Sequence, residues 1–451
     1  MDILTMSLDR NKGFYYEQIY EYIKGEIIKN NLECNKKLPS KRKLSEYLNI
    51  SQNTVEMAYN QLIDEGYVYS KPRIGFYVSD ISNNINFSDE IYSKVRQKEI
   101  TKKSIKKYRY DFNIYGVDKY SNMEKYMKRC LKILSQKIDD SIYRANTDKG
   151  LYSLRKSISK YLYSSRGFMA DPENIIISYG TDHLISILNM NLNRPLFAIE
   201  NPGYRGITKS LDKYNIKYNP VNLDDKGVYI DSIPNDTNIL SITPSHQFPT
   251  GIIYPINRRL ELLNWAEEKE DRFILEDDYN SEFRYTGATI PSLKSYDKSD
   301  RVIYIGNFSK SISPSFKTSY MVIPSSLSKT INFNSPVSYI NQKLLSIFID
   351  EGYFEKHLNY MRNFYKKKRD IMVNSLSKKD IVITGQEAGT HLICDFKDRT
   401  ERVIKNAERY NIKIYPISEH YVTDTYDSRI LLGYATIENE DIEDAIRLLL
   451  K

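Results

Sequence analysis

Cysteine is scarce in this chain: Cys34, Cys130 and Cys394 stand far apart among 451 residues. An odd, widely spaced set gives no disulfide framework and no zinc-binding spacing, and isolated thiols of this kind are packing residues of a reducing compartment. No apolar run approaches the ~20 residues that a membrane-spanning helix needs. The N-terminus lacks the basic stretch and apolar core of a signal peptide. Membrane and secreted classes are set aside, and a cytoplasmic protein is expected. What is present is an ordinary globular composition, 41% hydrophobic and 27% charged, in a chain too long for one small core.

Positive charge is unevenly spread. Residues 1–80 hold 11 Lys/Arg against 11 Asp/Glu, whereas residues 81–110 hold 8 against 3, most of the overall +8. A basic, Ser- and Asn-containing stretch between a neutral head and a large body reads as a solvated linker. Phosphate contact by Lys102, Lys103, Lys106 and Lys107 is the alternative. The expected domains are thus 1–80, a linker at 81–110, and 111–451.

In the head, Ile19, Tyr22, Ile23, Ile27 and Ile28 recur at helical spacing from Tyr15 onward. Pro39 ends anything helical before it, and Ser40 is a natural N-cap for a short helix reaching about Leu48. Ser51 caps a third helix from Gln52 to about Glu65, with Val55, Ala58, Tyr59 and Leu62 inward and Gly66 at its end. Residues 67–69 and 76–78 read as two short strands joined by Lys71-Pro72-Arg73-Ile74-Gly75. Helix, helix-turn-helix and wing together predict a DNA-binding domain with the tip of its third helix in a major groove. Ser51, Gln52, Asn53 and Thr54 occupy that tip, where amides and hydroxyls read base edges. Lys41, Arg42 and Lys43 on the preceding helix, with Arg73 and Gly75 on the wing, are placed for phosphates or the minor groove. The plainer reading is a three-helix domain with a solvated basic turn.

From about Asp111, helical patterns alternate with short apolar runs at 175–177, 196–199, 239–242, 273–275, 302–305 and 320–323. This predicts an α/β domain with a largely parallel buried sheet, whose ligands sit at the C-terminal strand ends. Four residue sets follow such ends. Gly180 and Thr181 open a helix, where free N–H groups suit a phosphate. Tyr204 follows a turn, Asp277 and Asp278 are adjacent acids followed by Tyr279, and Lys310 closes G-N-F-S-K. Singly they read as core packing, a helix cap and a loop lysine. Together they are what pyridoxal phosphate requires: an amine for a Schiff base, a carboxylate for the pyridine nitrogen, a stacking aromatic and a phosphate cup.

Residues 15–78, with L-P-S-x-R-x-L and S-x-x-T-V-x-x-A-Y-x-x-L-x-x-E-G, resemble the winged-helix domain of GntR-type regulators. The family's arginine after the serine is Gln52 here, which shifts the expected operator sequence. Residues 111–451 resemble a fold-type-I aminotransferase of the MocR-type regulator branch, with a small C-terminal α+β domain. T-P-S-H-Q-F-P-T-G at 243–251, E-D-D-Y-N-S-E-F at 276–283 and I-Y-I-G-N-F-S-K at 303–310 carry that resemblance. It implies Lys310 for the Schiff base, Asp277 (or its neighbour Asp278) for the pyridine nitrogen and Tyr279 for the ring hydroxyl. It further implies Tyr204 for stacking, and Gly180, Thr181, Asn307 and Lys317 for phosphate. Arg429 takes the position that grips an amino acid's carboxylate, the plainer reading being a surface strand residue. Asn307 and Lys317 replace the family's Thr and Arg, and because Lys317 lacks the guanidinium fork, looser cofactor retention is expected. Ser319 replaces a Gly, and 143–150 lacks the usual Asp-Pro before its glycine, in the stretch where the resemblance gives Tyr143 a place at the partner subunit's phosphate site.

The implied function is a pyridoxal-phosphate-dependent transcription regulator, a head-to-tail homodimer on a double-stranded DNA operator. Its effector is an amino compound or the cofactor itself. The rival is a working aminotransferase with an appended DNA-binding domain.

Overall fold

The computed structural model describes residues 6–9, 13–81, 107–118, 123–143, 149–287, 289–377, 380–423 and 425–451. The chain divides into two compact units, Met1–Lys106 and Lys107–Lys451. Lys102, Lys103 and Lys106 of the expected linker lie outside the described residues.

In the first unit, helix α1 (Tyr15–Ile28) buries Ile19, Tyr20, Ile23 and Ile27. Tyr20 takes the inward place expected of Tyr22 and Ile28, because its hydroxyl can donate to Glu65 Oε2 at 2.6 Å beyond the end of the third helix. Helix α2 (Lys41–Leu48) starts at Ser40, whose Oγ accepts the Lys43 N–H, and closes on Asn49 in a left-handed conformation. Helix α3 (Gln52–Asp64) starts at Ser51, whose Oγ accepts the Thr54 N–H. The four apolar positions expected inward are buried. Strands β1 (Val68–Lys71) and β2 (Gly75–Val78) pair antiparallel. The wing is also tied to the approach to α2, where the Leu38 N–H donates to Phe76 O and the Val78 N–H to Lys36 O.

The second unit is built on an eight-stranded sheet. Strand β3 (Tyr110–Asp111) lies outside it, and helices α4 (Met123–Lys137) and α5 (Tyr152–Arg166) precede the first sheet strand. The sheet takes β4 (Ile175–Ser178), β5 (Phe197–Asn201), β6 (Tyr218–Asp224), β7 (Gly227–Val228), β8 (Ile239–Ile242), β9 (Phe273–Asp278), β10 (Val302–Asn307) and β11 (Ser319–Val322) in the order 4-11-10-9-8-5-6-7. Strands β10, β9, β8, β5 and β6 run parallel, and β11 is antiparallel between β4 and β10. Both faces are covered: Ile175, Ile177 and Tyr304 join one apolar cluster while Ile176, Ile303 and Ile305 join another. That is why these strands read as unbroken apolar runs.

Helix α6 (Thr181–Asn191) follows β4, and helix α7 (Arg205–Lys213) follows β5. After the long helix α8 (Tyr353–Ser377) a small antiparallel sheet forms from β12 (Val382–Thr384), β13 (His391–Asp395), β15 (Tyr415–Pro416) and β16 (Ile430–Gly433). The short β14 (Ile412–Lys413) pairs with β3, fixing the start of this unit to its C-terminal part. Cys130 and Cys394 are buried as packing residues, whereas Cys34 is exposed.

One buried ion pair ties α8 to both ends of the unit. Lys368 Nζ lies 2.6 Å from Asp118 Oδ2 and donates to Ala435 O and Ile437 O, with the two side chains 1% and 3% exposed. Asp118→Ala leaves a buried ammonium without its counter-charge, and a loss of about 3–5 kcal/mol in unfolding free energy is expected. Urea denaturation checks this, and a loss below about 1 kcal/mol would contradict it.

Candidate cofactor cavity and DNA-binding surface

The C-terminal ends of β5, β9 and β10 open on a cavity of about 450 Å³. Gly180, Thr181, Tyr204, Asp277, Tyr279, Asn307 and Lys310 all line it, so seven of the residues singled out in the sequence meet in one place. A second cavity, about 610 Å³, lies at the opposite strand ends among Arg194, Asn238, Asp271 and Arg301. Parallel sheets place ligands at the C-terminal ends, which favours the first cavity.

The adjacent acids separate by strand alternation. Asp278 is buried 2.7 Å from Arg166 Nε and accepts the Tyr304 hydroxyl at 2.6 Å. Asp277 faces the cavity, and its Oδ1 is buried with no hydrogen-bond partner. Burial, then the charges of Asp278 and Glu200, push its carboxyl up to about 7. The Tyr279 hydroxyl is likewise buried and unpartnered, and burial raises it well above the ordinary phenol range. Lys310 Nζ donates to Ile114 O at 3.1 Å, and burial lowers its amine to about 8.

The wall beside Tyr204 is held from beneath. Glu200, buried at the end of β5, accepts the Thr243 N–H and hydroxyl, the Gln247 amide and the Tyr254 hydroxyl. Gln247 donates to Pro202 O at 3.0 Å and to Phe248 O at 2.6 Å. The motif at 243–251 is therefore a scaffold that fixes the Tyr204 turn and sets Phe248 on the cavity wall. The Tyr204 ring lies on the backbone of Gly206, where a Cβ would come within 2.2 Å of it. Gly206, Ile114 and Tyr115 line the cavity without having been singled out in the sequence, and Phe248 lines it from the motif at 243–251. A glycine two residues after the turn tyrosine was the one available signal among them.

The phosphate side is mixed. Gly180 starts α6 with no side-chain cap, leaving the helix N–H groups open toward the cavity. Asn307 and Ser319 are register partners on β10 and β11, and both line it. Lys317 is exposed, sits in a left-handed turn with φ 39°, and is not a lining residue. Tyr143 is 88% exposed, and 144–148 lie outside the described residues. Arg429 is also not a lining residue; its guanidinium is paired with Asp427 at 2.6 Å.

These groups fit pyridoxal phosphate. An unpartnered carboxylate oxygen and an unpartnered phenol beside an amine of lowered basicity answer the ring nitrogen, ring hydroxyl and aldehyde of that molecule. The uncapped N-terminus of α6 answers its phosphate.

In the first unit, Gln52 and Asn53 are exposed at the start of α3, and the Ser51 and Thr54 hydroxyls lie 2.9 Å apart beside them. Lys43 is exposed, Arg42 pairs with Glu46 at 2.8 Å, and Lys41 pairs with Glu56. Arg73 stands at the wing tip in a left-handed conformation with φ 63°. Gly75 has φ 138°, and a Cβ there would press on the Lys37 side chain.

Fold and cavity together define an aminotransferase-type α/β unit, in a chain that also carries a winged helix-turn-helix. Comparison with known proteins agrees. Residues 113–449 match the family described as aminotransferase class I and II, and residues 15–78 match bacterial regulatory proteins of the gntR family. The HTH-type transcriptional regulator YdeL of Bacillus subtilis is 37% identical, with 96% of each chain covered. The HTH-type pyridoxine biosynthesis transcriptional regulator PdxR of Corynebacterium glutamicum is 26% identical, again with 96% of each chain covered. The Pyrococcus horikoshii kynurenine aminotransferase shares the fold, with a TM-score of 0.67, 22% identity, and 81% of this chain and 96% of that one covered. The chain belongs to the MocR-type family of transcriptional regulators, in which a GntR helix-turn-helix domain is joined to an aminotransferase class I and II domain.

Proposed function

We propose that this regulator holds pyridoxal phosphate on Lys310, senses an amino compound or the cofactor itself, and transmits binding to its DNA-binding head. The observation that carries this reading is the pair of unpartnered groups, Asp277 Oδ1 and the Tyr279 hydroxyl, in one cavity with Lys310. Pyridoxal phosphate, when bound, supplies an aldehyde that captures amines and a ring that withdraws electrons. Lys310 offers an amine that is substantially neutral near pH 8. With the cofactor bound, Asp277 would hold a proton at the ring nitrogen, Tyr279 would serve the ring hydroxyl, and Tyr204 would cover the ring. Gly180, Thr181 and Asn307 would hold the phosphate, with Lys317 as the exposed cation of the same loop. Residues 81–110 serve as the linker of a head-to-tail homodimer on duplex DNA, working in the cytoplasm. Coupling requires that the effector bind one conformer better than the other.

The enzyme reading rests on the same residues, since Lys310, Asp277 and Tyr279 are also what transamination uses. Repeated turnover with a keto-acid acceptor supports it, whereas operator binding with at most a half-reaction supports the regulator.

The head is tested by two substitutions that act differently. Arg42→Ala removes an exposed phosphate-directed charge and is expected to weaken binding to all duplexes about equally, lowering the salt slope by about one. Gln52→Ala is expected to change the ranking of operator variants, with base-specific losses of about 1–3 kcal/mol. Binding titrations on a set of duplexes separate the two, and equal effects would overturn the assignment.

A further inference from the structure

His357 sits on the inward face of α8 with its ring 1% exposed, and its Nε2 lies 2.9 Å from Ser311 O. A carbonyl oxygen only accepts, so Nε2 carries the ring proton and Nδ1 is bare. Nδ1 is buried without a hydrogen-bond partner. Burial lowers the imidazole to about 4, which keeps the ring neutral at ordinary pH. Its neighbours on the helix, Phe354, Leu358 and Met361, are buried and apolar. An apolar side chain would fill the same place without an unpaired nitrogen, so the bond to Ser311 O is what an imidazole adds there.

Ser311 follows Lys310 directly. The Ile312 N–H donates to Phe308 O at 2.8 Å, which closes a turn around Lys310, and Lys310 Nζ donates to Ile114 O at 3.1 Å. The same helix holds the other side of that contact. Its Tyr365 hydroxyl accepts the Asp118 N–H at 3.1 Å, and its Lys368 binds the Asp118 carboxylate. Residues 357, 361, 365 and 368 are spaced four, four and three apart, so they share one helix face. One face of α8 thus grips both the turn that carries Lys310 and the segment whose carbonyl receives it.

We propose that His357 is a positioning residue, whose hydrogen bond to Ser311 O holds the Lys310 turn so that Nζ stays on Ile114 O inside the cavity. This rests on reading Lys310 as the amine that holds the cofactor. Without the imidazole, Ser311 O loses a buried hydrogen bond, the turn opens toward water to recover it, and Lys310 Nζ becomes hydrated. Hydration restores its basicity, because burial is what lowers it. The titratable groups sharing the cavity are Tyr115, Asp182, Tyr204, Lys209, Asp277 and Tyr279, and the neutral His391 acts on Lys310 from β13. All of them stand alike with or without His357, so a change in Lys310 reports the turn.

The titration of Lys310 is read on the cofactor-free full chain by trace acetylation with acetic anhydride over pH 6–10, followed residue by residue with mass spectrometry. The unsubstituted chain is expected to titrate near 8. His357→Leu, which keeps bulk and loses the donor, is expected to raise that midpoint by about one unit and to slow labelling at pH 7 about tenfold. His357→Gln, which keeps a donor at similar reach, is expected to stay within about twofold of the unsubstituted rate. Capture of pyridoxal phosphate, followed by stopped-flow absorbance, is expected to move in parallel. An unmoved midpoint in His357→Leu overturns the proposal even where its melting temperature falls, because packing alone then explains the residue. A shift in His357→Gln as large as in His357→Leu overturns it too. Should His357→Leu fail to fold, His357→Phe, which keeps a ring in that space without a donor, is read by the same criteria. A chain whose Lys310 shifts as expected but captures no pyridoxal phosphate upholds the positioning role and removes the cofactor reading.

Discussion

Lys310→Ala is expected to abolish the visible absorption of the protein reconstituted with pyridoxal phosphate, while Lys209→Ala, on the same cavity wall, leaves it in place. The difference is environmental. Lys209 is exposed, whereas Lys310 is desolvated and titrates near 8 instead of 10.5. A neutral amine is the nucleophile, so the rate of cofactor capture is expected to rise about tenfold per pH unit from 6 to 8 and then level off. Stopped-flow absorbance over pH 6–9 reads this directly, and a flat profile would remove Lys310 as the capturing amine. The same desolvation acts on the cofactor-free fold. The unfolded chain holds the Lys310 proton up to about 10.5 and the folded chain only to about 8, so the penalty is complete below pH 8 and fades toward 10.5.

The second large effect concerns Asp277. Asp277→Asn is expected to weaken cofactor binding by about a hundredfold or more, since breaking a buried charge pair costs about 3–5 kcal/mol. It should also stabilise the cofactor-free protein. The folded carboxyl titrates near 7 against 3.8 for an unperturbed aspartate, so between those values the folded state holds the extra proton. The penalty is absent below about pH 4 and fully present above pH 7, and stability falls as pH rises through that window. The substitution removes this slope, a gain on the order of 4 kcal/mol at pH 7.5 in the absence of cofactor. Thermal denaturation at pH 5 and 7.5, with and without pyridoxal phosphate, shows both halves. A variant less stable than the parent without cofactor at pH 7.5 would place Asp277 in a structural role. A cavity that destabilises itself until its ligand arrives matches the general trade of stability for function.

Asp118, deep under α8, shows what the sequence left unread. Its value lies in Lys368, 250 residues away in the chain, and no local pattern joins them. The head was far more legible. Ser40 and Ser51 cap their helices where a hydroxyl before an apolar-periodic run says they should; the inward place of Tyr20 was misjudged, and the wing strands extend to Lys71 and from Gly75, into the expected loop. A tyrosine at a helix edge goes inward or outward according to what its hydroxyl meets, and here that partner is Glu65.

The large unit divides along the same line. Its strands were legible because a sheet covered on both faces writes itself as short apolar runs, and the cavity was legible because functional residues follow the C-terminal ends of such strands. Alternation along β9 requires Asp277 and Asp278 to point opposite ways, yet only the packed structure decides which one meets Arg166 and Tyr304 and which is left facing the cavity. The Arg429 motif was visible, whereas its capture by Asp427 and Tyr421 was not. Ile114 reaches Lys310, and Tyr115 joins it in the same cavity, across nearly two hundred residues of chain. Sequence by itself determined the elements, their caps and the set of chemical groups, because those depend on neighbours a few residues apart. Tertiary structure decided which groups are paired and which remain free, because hydrogen bonding and desolvation are settled between segments that only the finished fold brings together.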